Sequence, residues 1–251
     1  MRFKFVTMDI PLYFFAAYNN LDRISPAGAD TTLKALALVE FSTEEIAVLD
    51  IGCGVGDKTV LLANYFENST VEAIDMFKHY LKVLDEKIKE NKLDDRVFTY
   101  QMDMHDLDFA NEEFDIVFAN ASAEIMGFKN ALREWKRLIK PDGYLIISDI
   151  TWLKKPSAES KRFWKNVYDD VDTIENKIEQ IRNDYEFVGY VVVPKSDWKD
   201  YYTKLERNLN SLKSDKSARD FVAQLKKEIN VYRQNSDDYS YVFYICVKRK
   251  L

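Results

Sequence analysis

The sequence predicts an α/β fold: a mostly parallel sheet with helices packed on both faces. Three observations carry the prediction. Short apolar runs alternate with amphipathic stretches through the middle of the chain. Each run is apolar almost throughout, as strands buried on both faces are. Three of the seven glycines, Gly52, Gly54 and Gly56, fall within five residues, at the junction between the first run and the helix that follows it. Alternation at this rhythm gives parallel strands joined by crossover helices.

Each element has its own signal. The first forty residues precede the sheet, and Phe14, Phe15 and Tyr18 have the spacing of one helical face. Residues 47–51 form a buried strand that enters a tight turn. Residues 58–66 have helical spacing of Val60, Leu61, Leu62, Ala63 and Phe66. A strand at 70–75, a charged amphipathic helix at 77–91 and strands at 97–102 and 114–119 follow. The helix at 130–139 carries Leu132, Trp135, Leu138 and Ile139 on one side. It stops at Lys140-Pro141-Asp142-Gly143, where proline and glycine supply a break and a turn. A fifth strand spans 144–150. Residues 157–185 read as helical with a break near Asp169-Asp170, and 187–194 as the sixth strand. Residues 195–235 read as a helical hairpin turning at Lys213-Ser214-Asp215. Residues 241–248 close the chain as the seventh strand, so the hairpin interrupts two strands that would otherwise be neighbours. Together with the N-terminal segment, it is a candidate lid over the sheet's ligand-binding edge.

Composition removes several function classes. The net charge is -6, with lysines and arginines scattered along the predicted helices, whereas binders of a phosphate backbone concentrate theirs on one face. The short basic clusters at Lys136-Arg137, Lys154-Lys155 and Lys248-Arg249-Lys250 read as solvated helix faces or strand ends. The two cysteines, Cys53 and Cys246, are too few for a secreted disulfide scaffold, and the start Met1-Arg2-Phe3-Lys4-Phe5 lacks a signal peptide's apolar stretch. No run approaches the ~18 apolar residues of a membrane span. With only His79 and His105, a structural metal site has nothing to be built from. The expectation is a cytoplasmic protein without metal.

The glycine loop, Asp50-Ile51-Gly52-Cys53-Gly54-Val55-Gly56, must bend sharply and admit a ligand closely. A dinucleotide fingerprint would place a third glycine where Asp57 stands. Asp57 and Asp50 make a poor setting for a pyrophosphate and a good one for a cation. Cys53 reads as a small buried residue and not as a nucleophile.

The loop resembles motif I of class I S-adenosylmethionine-dependent methyltransferases, Rossmann-like enzymes. Four further fragments match that family in order and spacing, over roughly residues 45–150. They are Ala73-Ile74-Asp75-Met76, the run from Gln101 to Phe109, Phe114-Asp115-Ile116-Val117 and Leu138-Ile139-Lys140-Pro141-Asp142-Gly143-Tyr144. The resemblance implies that Asp75 takes the ribose hydroxyls, that Asp103 takes the adenine amino group, and that Met104 receives a backbone contact. It assigns Asp50, Gly52, Cys53, Gly54, Gly56, Met76, Asn120 and Tyr18 to the same cofactor site. It also implies that the last strand of the seven is antiparallel. The division that follows is a single domain with an N-terminal helical cap at 1–44 and a cofactor-binding core at 45–150. Helices and the sixth strand occupy 151–194, a helical insertion 195–235 and the final strand 236–251.

Three places resemble a narrower group of small bacterial and archaeal methyltransferases of the type 11 kind: Ser25-Pro26-Ala27-Gly28, Gly127-Phe128 with Glu134-Trp135, and Tyr241-Val242-Phe243-Tyr244-Ile245. In that group an acidic side chain ends the fourth strand. Here Asn120 stands there, so the resemblance does not carry a carboxylate-based mechanism over to that position.

Methyl transfer from a sulfonium is an in-line displacement that needs no metal, and much of its acceleration comes from proximity and alignment. A general base is required only where the acceptor must lose a proton. The candidates are Asn120, Glu124 and Asp149. His105 either solvates the turn after Asp103 or lies near the adenine. Trp152, Trp198, Tyr201 and Tyr202 fall where a cap would meet the sheet's edge, and an aromatic-lined pocket there would suit a small, partly apolar or cationic acceptor. The expected product is S-adenosylhomocysteine and the expected partner a small-molecule acceptor. The rivals are a tRNA or protein acceptor, a non-catalytic S-adenosylmethionine-binding protein, and a nicotinamide- or nucleotide-sugar-binding enzyme.

Overall fold

The computed structural model describes residues 11–40, 45–168 and 170–249. Residues 1–5, Asp169 of the expected helix break and Lys250 of the last basic cluster lie outside them. Two short helices come first, α1 (Leu12–Tyr18) and α2 (Ala29–Leu36). The alternating part comprises β1 (Ile46–Ile51), α3 (Asp57–Tyr65), β2 (Ser69–Asp75), α4 (Lys78–Glu90), β3 (Val97–Gln101), β4 (Phe114–Ala119), α5 (Ala123–Met126), α6 (Phe128–Trp135) and β5 (Ile139–Trp152). The remainder is α7 (Ala158–Lys165), β6 (Asp172–Thr173), α8 (Ile174–Arg182), β7 (Tyr185–Val192), the helical pair α9 (Lys195–Ser211) and α10 (Arg219–Asn235), and β8 (Tyr239–Lys248).

The main sheet has the order β3-β2-β1-β4-β5-β8-β7. β1 runs parallel to β2 and β4, β2 to β3, and β4 to β5. β8 is antiparallel to both β5 and β7, so the last strand enters between its neighbours from the opposite direction. The expected mostly parallel sheet with an antiparallel last strand is present. Beyond the seven expected strands, β6 adds a two-residue strand beside the end of β5, inside the region read as a helix break.

The inner strands β1, β4, β5 and β8 bury both faces, whereas the edge strands β3 and β7 leave Phe98, Tyr100, Val188 and Tyr190 exposed, so the expected burial on both sides does not extend to the edges. Val48, Ile116, Ile146 and Phe243 belong to the layer that includes α9 and α10. Their neighbours Leu49, Val117, Leu145 and Tyr244 belong to the layer with Trp135 of α6 and Ile181 of α8. That alternation is the period of two of a pleated strand. α4 buries Tyr80, Leu81, Leu84 and Ile88, the stripe a surface helix turns to its core.

Three local expectations are corrected. The helix expected over 130–139 ends at Trp135, followed by a single 3-10 turn, Lys136–Leu138, and Ile139 already belongs to β5. The turn at Lys140-Pro141-Asp142-Gly143 is a bulge inside β5: the pairing jumps from Phe114 opposite Ile139 to Ile116 opposite Tyr144, and Asp142 takes φ +63°. Proline and the left-handed residue displace the chain without ending the strand. Lys248 is not a solvated strand end. It is 8% exposed, and its Nζ donates to the Ile139 carbonyl at 2.7 Å and to Glu112 at 2.9 Å.

The hairpin of α9 and α10 is fastened to the N-terminal segment. The Asp197 carboxylate accepts from the Gly28 amide at 2.8 Å and the Thr31 hydroxyl at 2.7 Å. Arg23 donates to Asp200 at 2.8 Å, and Asn208 to the carbonyls of Ala17 and Asn19. These contacts join parts of the chain more than 160 residues apart, and they hold residues 17–31 across the glycine-loop end of the sheet.

Candidate active site

The site is built where β1, β2 and β4 end. After Ile51 the chain turns through Gly52, Gly54 and Gly56, all with positive φ. The amides of Gly52 and Cys53 both donate to the Ile74 carbonyl at 2.9 Å, which ties the loop to β2. At Gly56 the left-handed conformation (φ +78°) coincides with close packing, since a Cβ there would stand 2.1 Å from Leu84 Cδ1 of α4. At Gly54 a Cβ would stand 2.5 Å from Ile24 of the N-terminal segment, which crosses the loop. The Gly54 amide donates to Asp75 Oδ2 at 2.9 Å and the Phe77 amide to Oδ1 at 2.8 Å, so the Asp75 carboxylate is aimed by backbone from either side.

A cavity of about 70 Å³ opens at the loop, lined by Ile24, Ser25, Asp50, Gly52, Cys53, Asp57, Lys58, Asn120 and Ala121. Sequence reasoning placed Asp50, Gly52, Cys53 and Asn120 here, and they do meet. Ile24, Ser25 and Lys58 were missed. Lys58 is 5% exposed and donates to the Ala27 carbonyl at 2.8 Å and to Asp57. Nothing in a lysine on a first helical turn marks it as buried; the covering segment buries it.

The charge here is lopsided. Asp50 is buried, accepts from the Thr59 hydroxyl at 2.7 Å, and is pushed up to about 7 by burial and by its neighbours Asp57 and Asp75. Burial pushes Asp75 up to about 6 against the two amides. Burial and the same three carboxylates hold the Cys53 thiol far above its ordinary value, which suits a small packed residue. Lys58 is the cation at this wall, and Asp57 already holds it.

Asn120 ends β4 in a bridge. Its Nδ2 donates to Ser25 Oγ at 2.7 Å and its Oδ1 accepts from Ser148 Oγ at 3.0 Å. Asp103 does not line the cavity; it is exposed, pairs with His105 Nδ1 at 2.7 Å and also accepts the His105 amide. Those bonds lower its pKa, so it remains a carboxylate. His105 therefore orders the turn after β3. Met76 is 40% exposed, and the Met104 carbonyl accepts from Trp135 Nε1 at 3.4 Å. Tyr18 packs its ring on Phe14 at 5.5 Å; burial and the charge of Glu228 in α10 raise its phenol.

The expected aromatic residues gather at the β5–β8 side. Trp198 is sandwiched between Tyr232, 4.5 Å away, and Tyr241, 5.6 Å away, and its Nε1 donates to Ser240 at 2.8 Å. The Tyr202 hydroxyl donates to Glu228 at 3.0 Å, and the Tyr201 hydroxyl to the Ile24 carbonyl at 3.3 Å. Trp152 meets Tyr239 edge-on at 6.0 Å while its Nε1 donates to the Val171 carbonyl. Trp198 and Trp152 thus share Tyr239 as a neighbour. Tyr239 and Glu228 had no sequence signal beyond alternation in a strand and helical spacing, and Tyr241 was singled out only as part of the resemblance in the closing strand.

Two of the candidate acid–base groups are deeply buried. Asp149, 1% exposed, pairs with Lys177 of α8, which is fully buried and lies 4.2 Å over the Phe128 ring. Burial raises Asp149 and the Lys177 charge opposes that rise. Glu124, 7% exposed, accepts the Tyr241 hydroxyl at 2.6 Å through Oε1, while Oε2 has no partner among the described residues. Burial, then the charge of Asp149, raises its pKa. Among the described residues no cluster of three or more His, Cys, Asp or Glu is arranged to hold a metal, and no helix is long and apolar enough to cross a membrane.

Comparison with known proteins agrees with this architecture. A methyltransferase domain model matches residues 42–208. Methyltransferase GfsG of Streptomyces halstedii is 30% identical over 133 residues, covering 53% of this chain and 47% of that protein. The malonyl-[acyl-carrier protein] O-methyltransferase of Priestia megaterium is 28% identical over 109 residues, covering 43% of this chain and 38% of that one. The chain spans about half the length of the curated relatives it matches. A methyltransferase from Geobacter sulfurreducens, solved with S-adenosyl-L-homocysteine, superposes with a TM-score of 0.83 at 18% identity, covering 97% of this chain and all of that one. The chain belongs to the methyltransferase domain family, a family that uses S-adenosylmethionine.

Proposed function

We propose that this member of the methyltransferase domain family transfers a methyl group from S-adenosylmethionine to a small-molecule acceptor at the C-terminal edge of its parallel strands. The observation that carries the reading is the charge at the glycine loop. Asp50, Asp57 and Asp75 gather there with Lys58 as counter-charge, and burial holds two of the carboxylates above their ordinary pKa. A buried carboxylate without a cation is costly, and a cationic ligand relieves that cost. A pyrophosphate would increase it. When bound, S-adenosylmethionine supplies a methyl group on a positively charged sulfur, open to in-line displacement.

The chain's own residues do the rest. The Gly54 and Phe77 amides fix Asp75, which on this reading holds the ribose, and Thr59 fixes Asp50 beside the ligand's ammonium. Asn120, braced by Ser25 and Ser148, positions the end of β4 between donor and acceptor. Ile24 and Ser25 cover the loop, and Asp197 and Asp200 clamp their segment, which keeps water from the reacting atoms. The cover also supports a small acceptor, because the hairpin and residues 17–31 close off the edge that a folded macromolecule would need. The acceptor in the Priestia relative's name is an acyl group on a carrier protein, so the kind of acceptor rests on this chain's own geometry.

Calorimetric titration with S-adenosylmethionine and S-adenosylhomocysteine tests the proposal. Micromolar binding by the wild type, lost in Asp75→Ala, is expected. Folded wild-type protein that binds neither ligand overturns it.

A further inference from the structure

The β5–β8 side of the molecule holds carboxylates that cofactor binding does not use. Glu124 lies in α5, four residues after Asn120 of the cavity lining, and its carboxylate reaches Tyr241 of the aromatic cluster. Its Oε2 is buried without a partner among the described residues. A buried carboxylate oxygen that makes no hydrogen bond is rare and costly, and a donor brought by a ligand removes that cost. Tyr241 of β8 donates to Oε1. Asp149 of β5 and Lys177 of α8 satisfy each other, and Lys177 also reaches the Asp170 carbonyl. Tyr168, beyond α7, and Tyr241 both feel the charges of Glu124 and of Glu228, whose Oε1 accepts from Tyr202. The cation among these groups, Lys177, is already neutralised.

The surroundings are rings. Tyr241 stacks on Trp198 at 5.6 Å, Trp198 meets Tyr239 at 6.3 Å, Tyr239 meets Trp164 at 5.0 Å, and Trp164 stacks on Tyr168 at 5.8 Å. Tyr168 is half-buried and marks the side on which the cluster meets solvent. Aromatic faces with uncompensated carboxylates attract a cation through both the ring quadrupole and the charge. They repel an anionic acceptor, and they offer a neutral alcohol a hydrogen bond without charge compensation.

We infer that the acceptor is an amine, bound as its ammonium against Oε2 of Glu124 and the rings of Tyr241 and Tyr168, with Glu124 receiving the nitrogen's proton. The inference rests on the methyltransferase reading above and narrows its acceptor. The ammonium gives one proton to Glu124, and the freed nitrogen lone pair forms the new N–C bond. The donor's C–S bond breaks with its electron pair left on sulfur. The products are the methylated ammonium, neutral S-adenosylhomocysteine and a protonated Glu124 that returns its proton to solvent.

The test uses the full chain saturated with S-adenosylhomocysteine and three probes of one shape: benzylamine, benzyl alcohol and benzoate. Calorimetry at pH 7.5 is expected to find benzylamine bound at least about ten-fold more tightly than benzyl alcohol, with no binding of benzoate. Glu124→Gln is expected to bring benzylamine down to the alcohol's level while S-adenosylhomocysteine affinity holds within about two-fold. In wild-type protein, amine binding measured in buffers of different ionisation heat is expected to release protons, because pairing drives Glu124 to its charged form. That measurement decides the matter should the variant fail to fold. Equal or tighter binding of the alcohol or benzoate, no amine binding, no proton release, or an undiminished preference in Glu124→Gln each overturns the inference. Wild-type protein that fails to bind S-adenosylhomocysteine overturns the methyltransferase reading, and this inference with it.

Discussion

The two halves of the sheet's working edge are made differently. The glycine-loop half, β1 to β3, is held mostly by backbone: amides of Gly52 and Cys53 on the Ile74 carbonyl, and amides of Gly54 and Phe77 on Asp75. Those contacts link residues at most about two dozen positions apart. The β5–β8 half is held by side chains from distant segments: Glu124 to Tyr241, Asp149 to Lys177, and Trp198 to Ser240. A site made by backbone from one short stretch can be read as a motif. A site made by side chains meeting across the fold cannot. The same contrast separates their energetics, since the second half places charge in the deep interior and the first keeps it at a cavity wall.

The largest effect that would sharpen this contrast is on stability. Lys177→Ala strands Asp149 in the core and is expected to cost about 3–5 kcal/mol in chemical denaturation, whereas replacing both partners by apolar residues is expected to recover most of that loss. A double variant as unstable as the single one would break the comparison. Next is Asp75→Asn, which keeps size but loses the charge. It is expected to weaken S-adenosylmethionine binding by roughly 10–150-fold, the ~1.5–3 kcal/mol of a charged hydrogen bond, and to lose about 1 kcal/mol of stability, because one of the two amides on Asp75 loses its acceptor. A large drop in stability with unchanged affinity would make Asp75 a structural staple. Gly56→Ala combines a positive φ with a clash on Leu84 and is expected to lose about 1–3 kcal/mol of stability. An unchanged melting temperature would mean that α4 yields to the added methyl.

The smallest effect is a pH dependence confined to the loop half. Asp50 and Asp75 have folded pKa values, about 7 and about 6, above those of an unfolded chain. The folded protein therefore holds their protons more tightly. The stability they contribute is present below pH 4 and is lost as pH rises through 6 to 7. Bound S-adenosylmethionine favours the ionised forms, so its affinity is expected to rise between pH 5.5 and 8 with proton release. Affinity that is flat over this range would remove the two carboxylates from the cationic site.

Much of the fold was legible because its signals are local. The strands at 47–51 and 114–119 are continuous apolar runs, and the hairpin over 195–235 shows helical spacing around a polar turn; both stand as read, the hairpin as α9 and α10. The errors lie where local chemistry is ambiguous. Pro141 and Gly143 signal a break equally well whether the chain turns or bulges within a strand, and only pairing with β4 decides for the bulge. At the site, Asp50 and the glycines could be placed because their spacing is tied to one strand–loop–helix unit, and Asp75 because the family resemblance puts an acidic residue at the end of the second strand. Glu124 was named but not its state, since neither its burial nor its bond to Tyr241, 117 residues away, leaves a trace in its neighbours.

By itself, the sequence determined the order of strands and helices, the glycine loop and the sign of the charge around it, because each depends on residues within a turn or a strand of one another. Only the tertiary structure decided that Lys58, Lys177 and Lys248 are buried, that Ile24 covers the loop and that Glu124 keeps an oxygen without a partner among the described residues. Burial depends on what distant segments bring, and desolvation, which acts on charge more strongly than any local propensity, is a property of the packed molecule.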